Sequence, residues 1–171
     1  MKLKKNKGIL FWITGLPGSG KTSIAKLLHK RIEKIYGSSI IISGDEIRKD
    51  FNLKGYERKD RLKIGFMYSK LFRRIVNQNI NVIFSGGALY EKIQNFNRKN
   101  INNYFEIFID SNFFKNKKIK RISKKSKNVV GINIKPEYPK NPNIRYYNNF
   151  NISLKSSSNI IFKLIQKKIK L

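Results

Sequence analysis

The chain has 171 residues, 40% of them apolar, which is enough to bury a core within a single domain. It has no cysteine and one histidine, which excludes disulfides, thiolate metal sites and a histidine-built metal centre. Lys plus Arg number 38 against 10 Asp plus Glu, a net charge of +28, and no apolar run is long enough to cross a bilayer.

Met1–Lys7 is basic and Ile9–Leu16 mostly apolar, the outline of a short signal peptide. No small-residue cleavage site follows, so the expected location is the cytoplasm. Ile9–Thr14 (ILFWIT) reads as a buried parallel strand. A glycine-rich turn leads into a helix over Lys21–Tyr36, whose Ile24, Leu27, Leu28, Ile32 and Ile35 share one face before Gly37 stops it. Ile40–Ser43 is a second strand, Arg58–Asn77 a helix, Asn81–Phe84 a third strand and Tyr90–Asn100 a helix. Tyr104–Ile109 (YFEIFI) is a fourth strand ending at Asp110, and Ser111–Ser123 reads as helical. Lys124–Pro142 is a polar loop long enough to serve as a lid, Ile144–Tyr147 a fifth strand and Ser157–Lys170 a last amphipathic helix. Strands alternating with helices define the expected fold class: a single α/β domain with about five parallel strands, helices on both faces and a lid.

The chemistry starts at Gly15-Leu16-Pro17-Gly18-Ser19-Gly20-Lys21-Thr22, which matches G-x-x-x-x-G-K-[ST] between a strand and a helix. Backbone N–H groups of such a loop close around phosphate oxygens, aided by the partial positive charge of the helix N-terminus. Lys21 is expected on the β- and γ-phosphates of ATP and the Thr22 hydroxyl on Mg²⁺. The D-x-x-G and N-K-x-D patterns of GTPases are missing, and a small single domain with a lid is the build of a small-molecule kinase. Asp45 follows the second strand at the ligand-binding edge of the sheet, with Arg48 one helical turn further on. A carboxylate there can take the proton of an acceptor hydroxyl or orient Mg²⁺, and the guanidinium can hold an anionic substrate.

Phe11–Leu28 (FWITGLPGSGKTSIAKLL), Ser43–Arg48 (SGDEIR), Gly55-Tyr56 and Asp60-Arg61, then Asn128–Asn133 and Pro136–Pro142, together resemble the adenylyl-sulfate kinases. That family uses ATP to phosphorylate the ribose 3′-hydroxyl of adenylyl sulfate. The resemblance implies Asp45 beside the acceptor hydroxyl and Mg²⁺, with Arg48 and Arg61 on the acceptor's anionic groups. It also implies Tyr56, Val129, Val130, Gly131 and Ile132 around the acceptor and Arg121 against the adenine of ATP. Several positions depart from the family pattern. Its S-P-Y-R segment reads Ala88-Leu89-Tyr90-Glu91, so a serine is lost and an arginine becomes a glutamate near the acceptor. Its G-F-T-G-I-D loop reads Asn128-Val129-Val130-Gly131-Ile132-Asn133, and Val129 replaces the phenylalanine that stacks on adenine. A D-V-K-G-L-Y segment is missing, leaving Lys124, Lys125 and Lys127 as substitute cations. All these departures fall on acceptor recognition.

The resulting expectation is a nucleotide 3′-kinase using ATP and Mg²⁺, with adenylyl sulfate as first acceptor and cytidine diphosphoramidate, or another nucleotide, as the alternative. A rival of another class is a basic nucleic-acid-binding protein with a non-catalytic P-loop. Composition argues against it: 29 Lys, 27 Ile and 20 Asn are the residues an AT-rich genome favours. Lys also outnumbers Arg 29 to 9, whereas base and bidentate phosphate recognition favour arginine. Nucleic acid and membrane are not expected as main partners, and a homodimer is kept open as the assembly.

Overall fold

β1 (Leu10–Gly15) is buried at every residue, because it lies inside the sheet with a strand on each side and helices on both faces. The computed structural model describes residues 1, 3–4, 7–111 and 128–169. In chain order the elements are β1, α1 (Lys21–Tyr36), β2 (Ser39–Ser43), α2 (Gly44–Asp50), α3 (Arg58–Val76), β3 (Asn81–Gly86), α4 (Glu91–Asn100), β4 (Tyr104–Asp110), β5 (Ile144–Tyr147) and α5 (Leu154–Lys168). The five strands form one parallel sheet in the order β2-β3-β1-β4-β5. All the strands run the same way, so the carboxyl ends of β1, β2 and β3 open onto one crevice, where α/β sheets bind ligands.

Alternation along the strands divides the core into two layers. Phe11, Ile13, Ile83 and Ile107 point to the face covered by α1 and α5, meeting Ile24, Leu28, Ile32, Ile161 and Ile165. Leu10, Trp12, Val82, Phe84 and Tyr104 point to the face covered by α3 and α4, meeting Tyr68, Phe72 and Ile93. Trp12 anchors this second layer, its ring centroid 4.4 Å from that of Phe84.

The apolar stripes are narrower than periodicity suggests. Leu27 and Ile35 on α1, Leu71 on α3 and Ile160 on α5 are exposed at the margins, and Ala25, Ser157 and Ser158 take buried places. α5 starts three residues earlier than its pattern implies, because the Ser153 hydroxyl caps it by accepting from the Ser156 N–H at 3.0 Å. Tyr146 packs on the core, whereas Tyr147 is exposed on the edge strand. His29 is half-buried and contacts the Ser39 carbonyl at 3.2 Å, linking α1 to β2. The expected helix over Ser111–Ser123, Arg121 and the lid lysines Lys124, Lys125 and Lys127 lie outside the described residues.

Candidate active site

A cleft of about 620 Å³ opens at the carboxyl edge of the sheet. Its floor is the phosphate loop. Gly15 lies against β4, where a Cβ would come 2.4 Å from the Ile109 carbonyl oxygen. Gly20 has φ +91°, and a Cβ there would meet Asn148 Nδ2 at 2.9 Å. Both positions thus exclude a side chain, one by close backbone approach and one by left-handed geometry as well. Pro17, Gly18, Gly20, Lys21 and Thr22 line the cleft, whereas Gly15, Leu16 and Ser19 form the back of the loop. Lys21 is largely buried, and its Nζ donates to the Leu16 carbonyl at 3.3 Å. The Thr22 hydroxyl accepts from Ser85 at 3.4 Å, which ties α1 to the end of β3.

Sequence reasoning missed Asn148, the first residue after β5. It is buried, its Nδ2 donates to the Ser19 carbonyl at 3.0 Å, and its own N–H donates to Asp110 O at 2.8 Å. Its Oδ1 accepts from the Phe150 N–H at 3.2 Å, holding Phe150 at φ 62° on the rim of the cleft. The only hint in the sequence is its place after a strand, and the surrounding N-N-F-N reads as mere composition. Asp110, at the end of β4, accepts from the Ser111 N–H at 2.9 Å and pairs with Arg145 at 3.3 Å, away from the cleft.

The wall opposite the loop is cationic and aromatic. Asp45 enters the cleft from the first turn of α2, which Ser43 caps. Arg48, also on α2, donates to the Gly55 carbonyl and lies 4.5 Å above the Tyr56 ring. Arg61, on α3, donates to Tyr56 O and Asn128 O, both at 2.8 Å, with its guanidinium 5.5 Å from the same ring. Both guanidiniums are therefore held by backbone carbonyls and one aromatic ring before any ligand arrives. Burial lowers the Arg61 pKa below its ordinary value, with Arg48 adding to the effect. Burial also pushes the Tyr68 hydroxyl up to about 12, and this group donates to Gly44 O at 3.3 Å.

Val129 and Val130 are buried and line the cleft, while Gly131 and Ile132 lie at the tip of the same turn, outside the lining, with Ile132 exposed. The turn closes through Gly131 N–H to Ile134 O at 2.8 Å. Asn128 has φ 65°, a left-handed conformation that asparagine adopts more readily than most non-glycine residues. Glu91 does not put a negative charge into the cleft. It pairs with Lys140 at 2.9 Å on the outer surface and is absent from the lining.

Among the described residues no group of three or more His, Cys, Asp or Glu is arranged to hold a metal. Thr22 and Asp45 offer a hydroxyl and a carboxylate, the oxygen donors Mg²⁺ takes when phosphates and water complete its shell. Nor is any helix among the described residues long and apolar enough to cross a membrane.

A phosphate loop facing a carboxylate and two oriented guanidiniums across one crevice defines an ATP-dependent kinase with a hydroxyl acceptor. The chain belongs to the adenylylsulphate kinase family, which it matches over residues 7–146. It is 31% identical over 142 residues to a cytidine diphosphoramidate kinase of Campylobacter jejuni, covering 79% of this chain and 84% of that one. It is also 29% identical over 152 residues to an adenylyl-sulfate kinase of Rippkaea orientalis, covering 82% of each. Among solved structures it resembles the Mycobacterium tuberculosis APS kinase in complex with AMPPNP and APS, with TM-score 0.78, 22% identity, and 94% and 98% of the two chains covered.

Proposed function

We propose that this enzyme transfers the γ-phosphoryl group of ATP to the ribose 3′-hydroxyl of a nucleotide bearing a diphosphate-type linkage. The observation that carries the reading is the placement of Asp45, Arg48 and Arg61 across one cleft from Lys21 and the phosphate loop. The loop amides and Lys21 hold the β- and γ-phosphates. Thr22 and Asp45 would hold Mg²⁺, which supplies charge neutralisation between those phosphates when bound. Arg48 and Arg61 seat the acceptor's anionic linkage, so that its 3′-oxygen faces the γ-phosphorus in line. The new P–O bond forms as the bond to ADP breaks, and Asp45 takes the hydroxyl proton.

Of the two acceptors named for its relatives, we favour the cytidine nucleotide over adenylyl sulfate. Two observations support that order. Val129 lines the cleft at the position where the family resemblance implies an aromatic stacked on adenine, a contact worth about 1–3 kcal/mol. The Campylobacter relative is 31% identical, against 29% for the adenylyl-sulfate kinase of Rippkaea orientalis.

The test is an ADP-release assay with ATP-Mg²⁺ and each acceptor in turn. Lys21→Ala is expected to abolish turnover, and Asp45→Asn to lower kcat by about 10²–10⁴-fold with both substrates still bound. Cytidine diphosphoramidate is expected to give the higher kcat/KM, and Val129→Phe to narrow the gap by improving adenylyl sulfate. A wild type that prefers adenylyl sulfate reverses the acceptor assignment, and ordinary turnover in Asp45→Asn removes the proton-acceptor role.

A further inference from the structure

We propose that Glu137 and Arg58 form a clasp that fixes the acceptor wall of the cleft, and that both are positioning residues for the nucleotide acceptor. The inference rests on the kinase reading above and adds residues outside the catalytic cluster. Glu137 is bonded on every side. Its Oε2 accepts from the N–H of Glu91, the first residue of α4, at 2.7 Å. A carboxylate at that position also meets the positive end of the helix. Its Oε1 lies 2.5 Å from the Arg58 guanidinium. Its N–H donates to Leu89 O at 2.9 Å, and its carbonyl accepts from Nε2 of the buried Gln94 at 2.8 Å. Burial alone would raise the Glu137 pKa, but the Glu91 N–H and Arg58 outweigh it and hold the carboxyl below its ordinary value.

Arg58 and Arg61 stand three residues apart in the first turns of α3 and so point to neighbouring positions on the helix surface. Arg61 holds the carbonyl of Asn128, and Arg58 holds the carboxylate of Glu137. One end of α3 therefore grips segment 128–137 at both ends. Between the grips stand Val129 and Val130, the part of the segment that lines the cleft. Without Glu137 the Val129 wall keeps a single tether on α3. None of these bonds involves residues 15–22, so the clasp acts on the acceptor and leaves the ATP phosphates alone. The Glu91–Lys140 pair differs in its carboxylate: Glu91 is 49% exposed, whereas Glu137 is 29% exposed and also accepts a backbone N–H, and exposed pairs contribute little.

The test compares wild type with Glu137→Ala, Glu137→Gln and Lys140→Ala, reading acceptor KM, ATP KM, kcat and backbone amide exchange over 128–140. Loss of a charge-assisted bond predicts an acceptor KM raised about tenfold or more in Glu137→Ala, with ATP KM within about twofold of wild type. Exchange over 128–140 should quicken in the same variant. Glu137→Gln, which keeps an oxygen for the Glu91 N–H, should recover part of both effects, and Lys140→Ala should show neither. Unchanged exchange in Glu137→Ala overturns the clasp. Faster exchange with an unchanged acceptor KM, or an equal rise in ATP KM, overturns its positioning role. A wild type that phosphorylates no nucleotide removes the kinase reading instead, and amide exchange then decides the clasp by itself.

Discussion

Glu106 shows what a single residue costs and gains in this core. It pairs in register with Trp12 in the middle of the sheet and is almost wholly buried, yet it is a carboxylate. Arg98 pairs with it, the Tyr104 hydroxyl donates to it at 2.9 Å, and its N–H donates to Asn143 Oδ1 at 2.7 Å. Burial still dominates and raises its pKa above the ordinary 4.5, with Arg98 and Tyr104 working the other way. The native state then binds a proton that the unfolded chain has already released. The contribution of Glu106 to stability is therefore full below pH 4.5 and is lost as pH rises through the native value. Glu106→Gln keeps oxygen and shape but does not titrate. The stability of wild type relative to this variant is expected to fall as pH rises above about 4.5 in urea unfolding. A difference that is flat or rises with pH would mean that Arg98 fully compensates the burial.

Among the elements, local chemistry was legible and long-range pairing was not. β1, α1 and β5 stand where their patterns put them, because a continuous apolar run, a glycine-rich turn and a stop signal all lie within a few residues of the element they define. The phosphate loop was legible for the same reason: eight consecutive residues carry both its geometry and its chemistry. Of α2 the sequence shows only the single helical turn from Asp45 to Arg48, since seven residues are too few for helical periodicity to declare itself. Asn148 was invisible, because the sheet brings it to Ser19 across 129 residues of sequence. Glu137 and Arg58 meet in the same non-local way. The charge reversal at Glu91 looked like a change in acceptor recognition, until its neighbour in space proved to be Lys140. Asn148 also carries a prediction at this scale, since it ties the end of β5 to the phosphate loop. Asn148→Ala leaves the Ser19 carbonyl without its side-chain donor and frees Phe150, in a buried setting worth about 1–3 kcal/mol. The expected result is a lower melting temperature and an ATP KM raised about tenfold, with acceptor KM unchanged. An acceptor effect as large as the ATP effect would show that β5 supports the whole crevice and not the loop alone.

For the whole molecule the governing quantity is charge. With 38 basic and 10 acidic side chains, most cations have no anion to pair with, and the six ion pairs among the described residues cannot offset their mutual repulsion. Surface pairs of this kind are worth about 0–1 kcal/mol each, whereas repulsion among many like charges accumulates over the surface. Salt screens both, with a Debye length of about 10 Å at 0.1 M. The repulsion is the larger sum, so added salt is expected to stabilise the fold and raise the melting temperature. The same field attracts ATP and a nucleotide acceptor, both polyanions, into a cleft already lined by Arg48, Arg61 and Lys21. Screening weakens that attraction, so kcat/KM for both substrates should fall with salt while kcat at saturation holds. One cause thus drives stability and substrate capture in opposite directions. Thermal unfolding and initial rates measured together from about 20 mM to 300 mM NaCl test the pair. A melting temperature that falls with salt would mean the few ion pairs outweigh the lysine surface. A salt-independent kcat/KM would confine substrate attraction to the cleft and leave the charge elsewhere without a part in catalysis.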